Sequence, residues 1–381
     1  MKKKVALVLA IALLVCLFAG CSVKETGNIS SESTTTAASD GKIVVTDHAG
    51  VEVELPDKIE RIAICGIFPL ASVLTLFFNS AERIVAMPKA SMAAAQNGLL
   101  GKLYPEILNA ETECVSGDLP NTEELLKLKP DVVFYSESDA ATGEALRNAG
   151  FAAVGIAVNQ WGYNCIETLN AWIALLDRMF PGNGRAEKVK SASDEIYQLV
   201  QERVKDIPDE ERERVFILFQ YSDTALMTSG KIFFGQWWCE AAGAINVAGD
   251  VEKENALPVN MEQIYAWNPS VILVTNYTTA QPEDILNSTV GEDDWSGLDA
   301  VKNGRVYKTP LGMYRSYTPG ADAPVTLLWL AKTLYPERFE DIDVTEHAKT
   351  YYSEVFGIDL TDEQVESIFK PVSEAAGGIG G

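Results

Sequence analysis

Histidine is almost missing from this chain: His48 and His347 are the two present in 381 residues. A Ser-His-Asp triad and a haem held by a protein histidine therefore lose most of their candidate residues at once. The cysteines, Cys16, Cys21, Cys65, Cys114, Cys165 and Cys239, make no C-x-x-C pair and no zinc spacing. There is no G-x-S-x-G elbow, no G-x-G-x-x-G after a strand, no P-loop and no H-E-x-x-H. No catalytic residue is assigned, and an enzyme is not expected. Basic residues are also few, 31 against 54 acidic ones, for a formal charge of −23. Phosphate contacts need clusters of Lys and Arg, so nucleic acid is excluded as a partner. An acidic surface is repelled by anionic lipid as well. Beyond residue 21 no apolar run is long enough to cross a bilayer.

What is present begins at the N-terminus. Lys2, Lys3 and Lys4 precede an apolar stretch that ends IALLVCLFAGC at residues 11–21. That stretch falls short of the ~20 residues of a bilayer-spanning helix. The small pair Ala19-Gly20 running into Cys21 resembles a bacterial lipobox, which implies cleavage before Cys21 and lipidation of its thiol. The chain is then expected outside the cytoplasmic membrane, on its outer face, anchored by lipid alone. Residues 22–40, SVKETGNISSESTTTAASD, are polar and cannot bury enough surface to offset chain entropy, so they read as a disordered tether. The four later cysteines read as buried free thiols, with pairing of two of them in an exported chain left open.

The body of the chain exceeds one core and predicts two lobes. An internal repeat says the same. NTEELLKLKPDVV (121–133) recurs as NMEQIYAWNPSVI (260–272), sharing N-x-E-x-(L/I)-x-x-(L/W)-x-P-x-V-(V/I). Each copy reads as a short amphipathic helix, a terminating proline, and a β-branched run suited to a buried parallel strand. RIAICG (61–66), RIVAMP (83–88) and FAAVGIAV (151–158) supply strands beside the first copy, with a helix over 70–78. RVFILFQY (214–221) and GRVYKTP (304–310) do so beside the second. Strands alternating with helices predict an α/β fold with a mainly parallel sheet in each lobe. Between the lobes, helical spacing over 164–205 predicts one long bridging α-helix, bent near Pro181–Gly184. The divisions are thus a signal peptide at 1–20, lipidated Cys21 and linker at 21–40, an N-terminal lobe at 41–162, the bridging helix at 163–206, a C-terminal lobe at 207–371, and a disordered tail at 372–381.

Four stretches carry a family resemblance. VTDHAGVEVELPDKIERIAI (45–64), NTEELLKLKPDVVF (121–134), CEAAGAINVAGD (239–250) and TLLWLAKTLYPERFEDID (326–343) resemble, in order, motifs of the bacterial solute-binding lipoproteins for iron–siderophore complexes, haem and cobalamin. The resemblance implies two Rossmann-like lobes joined by a long helix, a ligand held between them, and delivery to an ABC permease dimer. It also implies that one surface glutamate per lobe, Glu123 and Glu262, meets the permease. Helix N-termini favour carboxylates in any case.

Ligands in such sheets sit beyond the carboxyl ends of the strands. The loops there are Ile67-Phe68-Pro69, Pro88 to Met92, Ser136-Glu137-Ser138 and Asn159-Gln160-Trp161 in the first lobe. The second lobe offers Tyr221, Trp237-Trp238, Asn276-Tyr277 and Met313 to Tyr317. From these, Lys89, Met92, Trp161, Tyr221, Trp237, Trp238, Tyr277, Arg315 and Tyr317 are the expected ligand-binding residues. Their aromatics suit a flat organic ligand, and Arg315 an anionic part of it. No protein-held metal and no resident cofactor is expected, any metal being chelated by its own carrier. The expected protein is a monomer that captures a metal chelate for import; a membrane-tethered sensor or adhesion module on the same fold is the alternative.

Overall fold

The computed structural model describes residues 42–116 and 119–377. The signal segment 1–20, Cys21, the linker to residue 40 and residues 378–381 lie outside the described residues.

The first lobe opens with an antiparallel hairpin of β1 (Val44–Thr46) and β2 (Glu52–Glu54). Strands β3 (Ile62–Ile64) and β4 (Ile84–Ala86) follow, then a short ladder of β5 (Val115–Ser116) with β6 (Leu119–Pro120). Strands β7 (Val132–Ser136) and β8 (Ala153–Ile156) complete a parallel sheet of order β4-β3-β7-β8. Both faces of β3 and β8 are buried, as a sheet covered by helices on each side requires. The helix predicted over 70–78 is Leu70–Phe78 and is buried along almost its whole length.

The second lobe repeats this plan. Strands β9 (Arg214–Leu218), β12 (Ile245–Asn246), β14 (Val271–Val274) and β15 (Val306–Lys308) form a parallel sheet of order β12-β9-β14-β15. Strands β10 (Gln220–Ser222), β11 (Ala225–Ser229) and β13 (Ala256–Pro258) make a separate antiparallel sheet. RVFILFQY is therefore not one strand. The chain leaves the parallel sheet at Phe219, whose amide donates to the Met227 carbonyl at 2.9 Å. In each lobe the strand that follows the repeated helix lies between the first strand and the last.

The repeat itself folds alike twice. Asn121 caps Thr122–Leu128, and Asn260 caps Met261–Trp267 with a reciprocal bond from Gln263. Both helices end on a left-handed residue, Lys129 and Asn268, ahead of Pro130 and Pro269.

Two expectations need correction. The link between the lobes is not one long helix but two, Cys165–Met179 and Arg185–Val204, packed against each other. The turn between them has Gly182 at φ 96° and Gly184 at φ 66°, conformations that reverse the chain where a bend was expected. Asn183 and Arg185 both donate to the Phe77 carbonyl, at 2.9 Å each, and pin that turn to the first lobe. The second helix packs on Ala323–Leu334 of the second lobe. Nor do residues 372–377 form a loose tail. Ser373–Ala376 is a 3-10 turn with Ala375 and Ala376 buried, packed on the helix Lys89–Asn97. Small side chains let this segment sit against Ala94, Leu311 and Tyr314.

Candidate functional site

A cavity of about 390 Å³ lies where the carboxyl ends of β3, β7 and β8 meet those of β9 and β14. From the first lobe come Gly66, Ile67, Phe68 and Pro69, then Ser136, Ser138, Asp139 and Thr142, and Val158. Gly66 has φ 75°, which lets the chain turn sharply from β3 into the helix behind it. Asp139 caps Ala140–Asn148, accepting from the Thr142 amide at 2.9 Å and its hydroxyl at 2.5 Å. These bonds hold its carboxyl below the usual range.

The second lobe supplies an aromatic wall. Phe219 and Tyr277 stack at 4.9 Å between centroids, and Phe233 meets Phe219 edge-on at 5.3 Å. Phe234 follows at 5.1 Å from Phe233. A second layer fixes the first. Tyr317 is buried behind Phe219 and Phe233, its hydroxyl accepting from the Gly235 amide at 3.0 Å. Trp238 then donates its indole N–H to the Tyr317 carbonyl at 2.7 Å. These rings are thereby held in place before any ligand arrives.

Of the nine expected ligand-binding residues, Tyr277 lines this cavity. Tyr317 and Trp238 support it from behind, and Trp237 packs edge-on against Trp238 at 4.7 Å. Trp161 packs instead on His48 at 5.2 Å, at the opening hairpin. Tyr221 belongs to a separate depression of about 250 Å³, its hydroxyl donating to the Val290 carbonyl at 2.8 Å and accepting from Trp295 at 3.0 Å. Lys89 is exposed and pairs with Glu113 at 3.0 Å, while Met92 is half-buried against the core of the first lobe.

Arg315 is 0% exposed and its bonds run away from the cavity. Its guanidinium donates to the carbonyls of Ala375, at 2.9 Å and 3.2 Å, and of Gly377, at 2.5 Å. It lies 5.3 Å from the Tyr277 ring and does not line the cavity. Asp322, seven residues further on, does not pair with it and accepts from the Met313 amide at 2.9 Å and from the Tyr352 hydroxyl. Sequence reasoning passed over Phe219, Phe233 and Phe234. The signal for Phe233 and Phe234 was a Phe-Phe pair opening a helix, beside the more conspicuous Trp237-Trp238, while Phe219 sat inside a run that read as one strand.

A larger groove of about 640 Å³ runs past β2, Asp131 and Phe151. It is a feature of the first lobe alone, at the amino ends of its strands, where parallel sheets do not place ligands. The four described cysteines are free and buried. Among the described residues, no three His, Cys, Asp or Glu side chains are grouped to hold a metal, and no helix is long and apolar enough to cross a membrane.

The periplasmic binding protein family matches residues 90–311. The chain belongs to that family. It is 26% identical over 335 residues to molybdate-binding protein MolA of Haemophilus influenzae, a match covering 82% of this chain and 90% of MolA. The crystal structure of a periplasmic solute-binding protein from Veillonella parvula is similar at TM-score 0.76 and 27% identity, over 86% of this chain and 96% of that one. Helicobacter pylori CeuE in its Ni-His complex shares the fold at TM-score 0.68 and 22% identity, over 86% of this chain and 99% of that one.

This is therefore a solute-binding protein of an ABC transporter rather than an enzyme, and its partners are a small ligand and an ABC permease. Family membership gives the two repeats a context. Glu123 and Glu262 are both exposed in the first turn of their helices. Three residues on, Leu126 is 51% exposed and Tyr265 38%, so each repeat shows a carboxylate beside a large apolar side chain.

Proposed function

We propose that this protein captures an organic metal chelate (iron–siderophore-like, cobalamin or haem) in the cavity between its lobes and delivers it to an ABC permease. The observation that carries this reading is the aromatic wall. Its four rings, Phe219, Phe233, Phe234 and Tyr277, line a cavity of about 390 Å³ together with Phe68 of the first lobe. Such a surface gains most from a flat organic ligand, through burial and ring contacts. CeuE, which shares the fold, is known in a Ni-His complex.

MolA supports a second reading, a small oxyanion, because it is the relative bound to molybdate. Native mass spectrometry of the protein purified after growth in rich medium separates the two. A retained organic mass with a metal isotope pattern supports the chelate; a retained mass matching molybdate alone contradicts it.

Glu123 and Glu262 are the proposed permease contacts, with Leu126 and Tyr265 beside them, and the protein works as a monomer. Cys21 carries the lipid that holds it at the outer face of the cytoplasmic membrane. Cys21→Ala should leave precursor that incorporates no labelled acyl chain. Normal labelling of that variant contradicts the anchor.

A further inference from the structure

The two walls of the cavity differ in chemistry. The first lobe presents hydroxyls and a carboxylate, from Ser136, Ser138, Thr142 and Asp139, beside the apolar Ile67, Phe68, Pro69 and Val158. The second presents the rings of Phe219, Phe233, Phe234 and Tyr277. Among the described lining residues there is no Lys, Arg or His, and Asp139 is the one charged side chain. Asp139 stays ionised near neutrality, since the Thr142 hydroxyl and amide both donate to it. Arg315, 5.3 Å from the Tyr277 ring, donates from Nε and Nη2 to main-chain carbonyls; its Nη1 is buried without a partner, and the residue does not line the cavity. The formal charge of −23 adds a field of the same sign as Asp139.

An anion entering this cavity gives up water for hydroxyls, a carboxylate and aromatic rings, with no cationic side chain among the lining residues to meet it. A cation loses less. Its charge faces Asp139, and the faces of aromatic rings attract positive charge. Discrimination of this kind works by repelling the wrong ligand as well as holding the right one.

We propose that the solute carries net positive charge: a cationic chelate or organic cation whose flat apolar face lies on the Phe219–Tyr277 stack and whose charged edge meets Asp139. The inference deepens the reading above and rests on the cavity being the solute site. It sets this chain apart from MolA, whose structure is described as bound to molybdate.

The test is calorimetric titration of the full chain in detergent with three probes. These are the cationic bis(bipyridine) complex of nickel(II), the anionic bis(dipicolinate) complex of nickel(II), and sodium molybdate. The cationic complex should bind at least about tenfold more tightly than either anion, a factor one charge-assisted contact can supply. Asp139→Asn keeps a residue able to cap Ala140–Asn148, and should bring the two nickel complexes towards equal affinity. Phe233→Leu should weaken both.

If an anionic probe binds more tightly than the cation and Phe233→Leu weakens it, the charge assignment is overturned while the site stands. Failure of the cationic complex to bind also overturns the assignment. If probes bind but neither substitution alters their affinity, the cavity is not the solute site and the underlying reading fails with it.

Discussion

His48 shows how a single side chain can be committed to architecture. Its Nδ1 accepts from the Ala157 amide at 3.1 Å, joining the opening hairpin to the end of β8. Burial, with help from Arg178, lowers its pKa from 6.5 to about 4. Between those values the unfolded chain binds a proton that the folded chain refuses, so stability falls as pH drops from 6.5 towards 4. The full effect is about 3 kcal/mol at the acid end, from a shift of that size. Denaturant unfolding of wild type and His48→Gln across pH 4 to 7 should show this: the variant keeps an acceptor for Ala157 but loses the titration, so its stability should fall less in acid. Equal pH dependence would place the acid sensitivity elsewhere. Arg315 makes a related point. The sequence showed a guanidinium in a strand-end loop of an acidic chain, and that much holds. It could not show that the carbonyls of Ala375 and Gly377, far along the chain, would accept from its Nε and Nη2.

The repeated helix–proline–strand unit was the most legible element, because each part has a local cause. An Asn cap, apolar residues at helical spacing, a proline stop and a β-branched strand need no distant partner to be recognised. The linking helices were less legible, since a bend and a reversal at PGNG look alike until the positive φ angles of Gly182 and Gly184 are known. The matched surfaces of the repeat lead to a prediction at this scale. Two exposed carboxylates and two exposed apolar side chains at equivalent places suit a partner that is itself two-fold. The double variant Glu123→Ala with Glu262→Ala should bind solute as tightly as wild type and lose uptake in cells. Leu126→Ala with Tyr265→Ala should lower uptake by a smaller factor. A large loss of solute affinity in the purified glutamate variant would contradict a docking role.

For the molecule as a whole, two lobes of one plan face each other across the carboxyl ends of their parallel sheets. That arrangement follows from duplicated topology, and the sequence made it readable through the repeat. Which side chains reach the space between the lobes was much less readable. Phe219 is turned into the cavity by the chain leaving β9, and Tyr221, two residues on, goes elsewhere. Tyr317 lies in the loop after β15 and Trp238 on the helix Phe234–Ala241, and local sequence does not tell a cavity wall from the layer supporting it, which is why both looked like contacts. The paired helices that join the lobes pack against each other, so only modest closure is expected on binding. The most direct measurement is a crystal structure of the protein loaded with the solute it retains from rich medium. Ligand density in contact with Phe68, Phe233 and Tyr277 is the predicted result. Density in the groove beside Asp131 and Phe151, with the space between the lobes empty, would contradict the account.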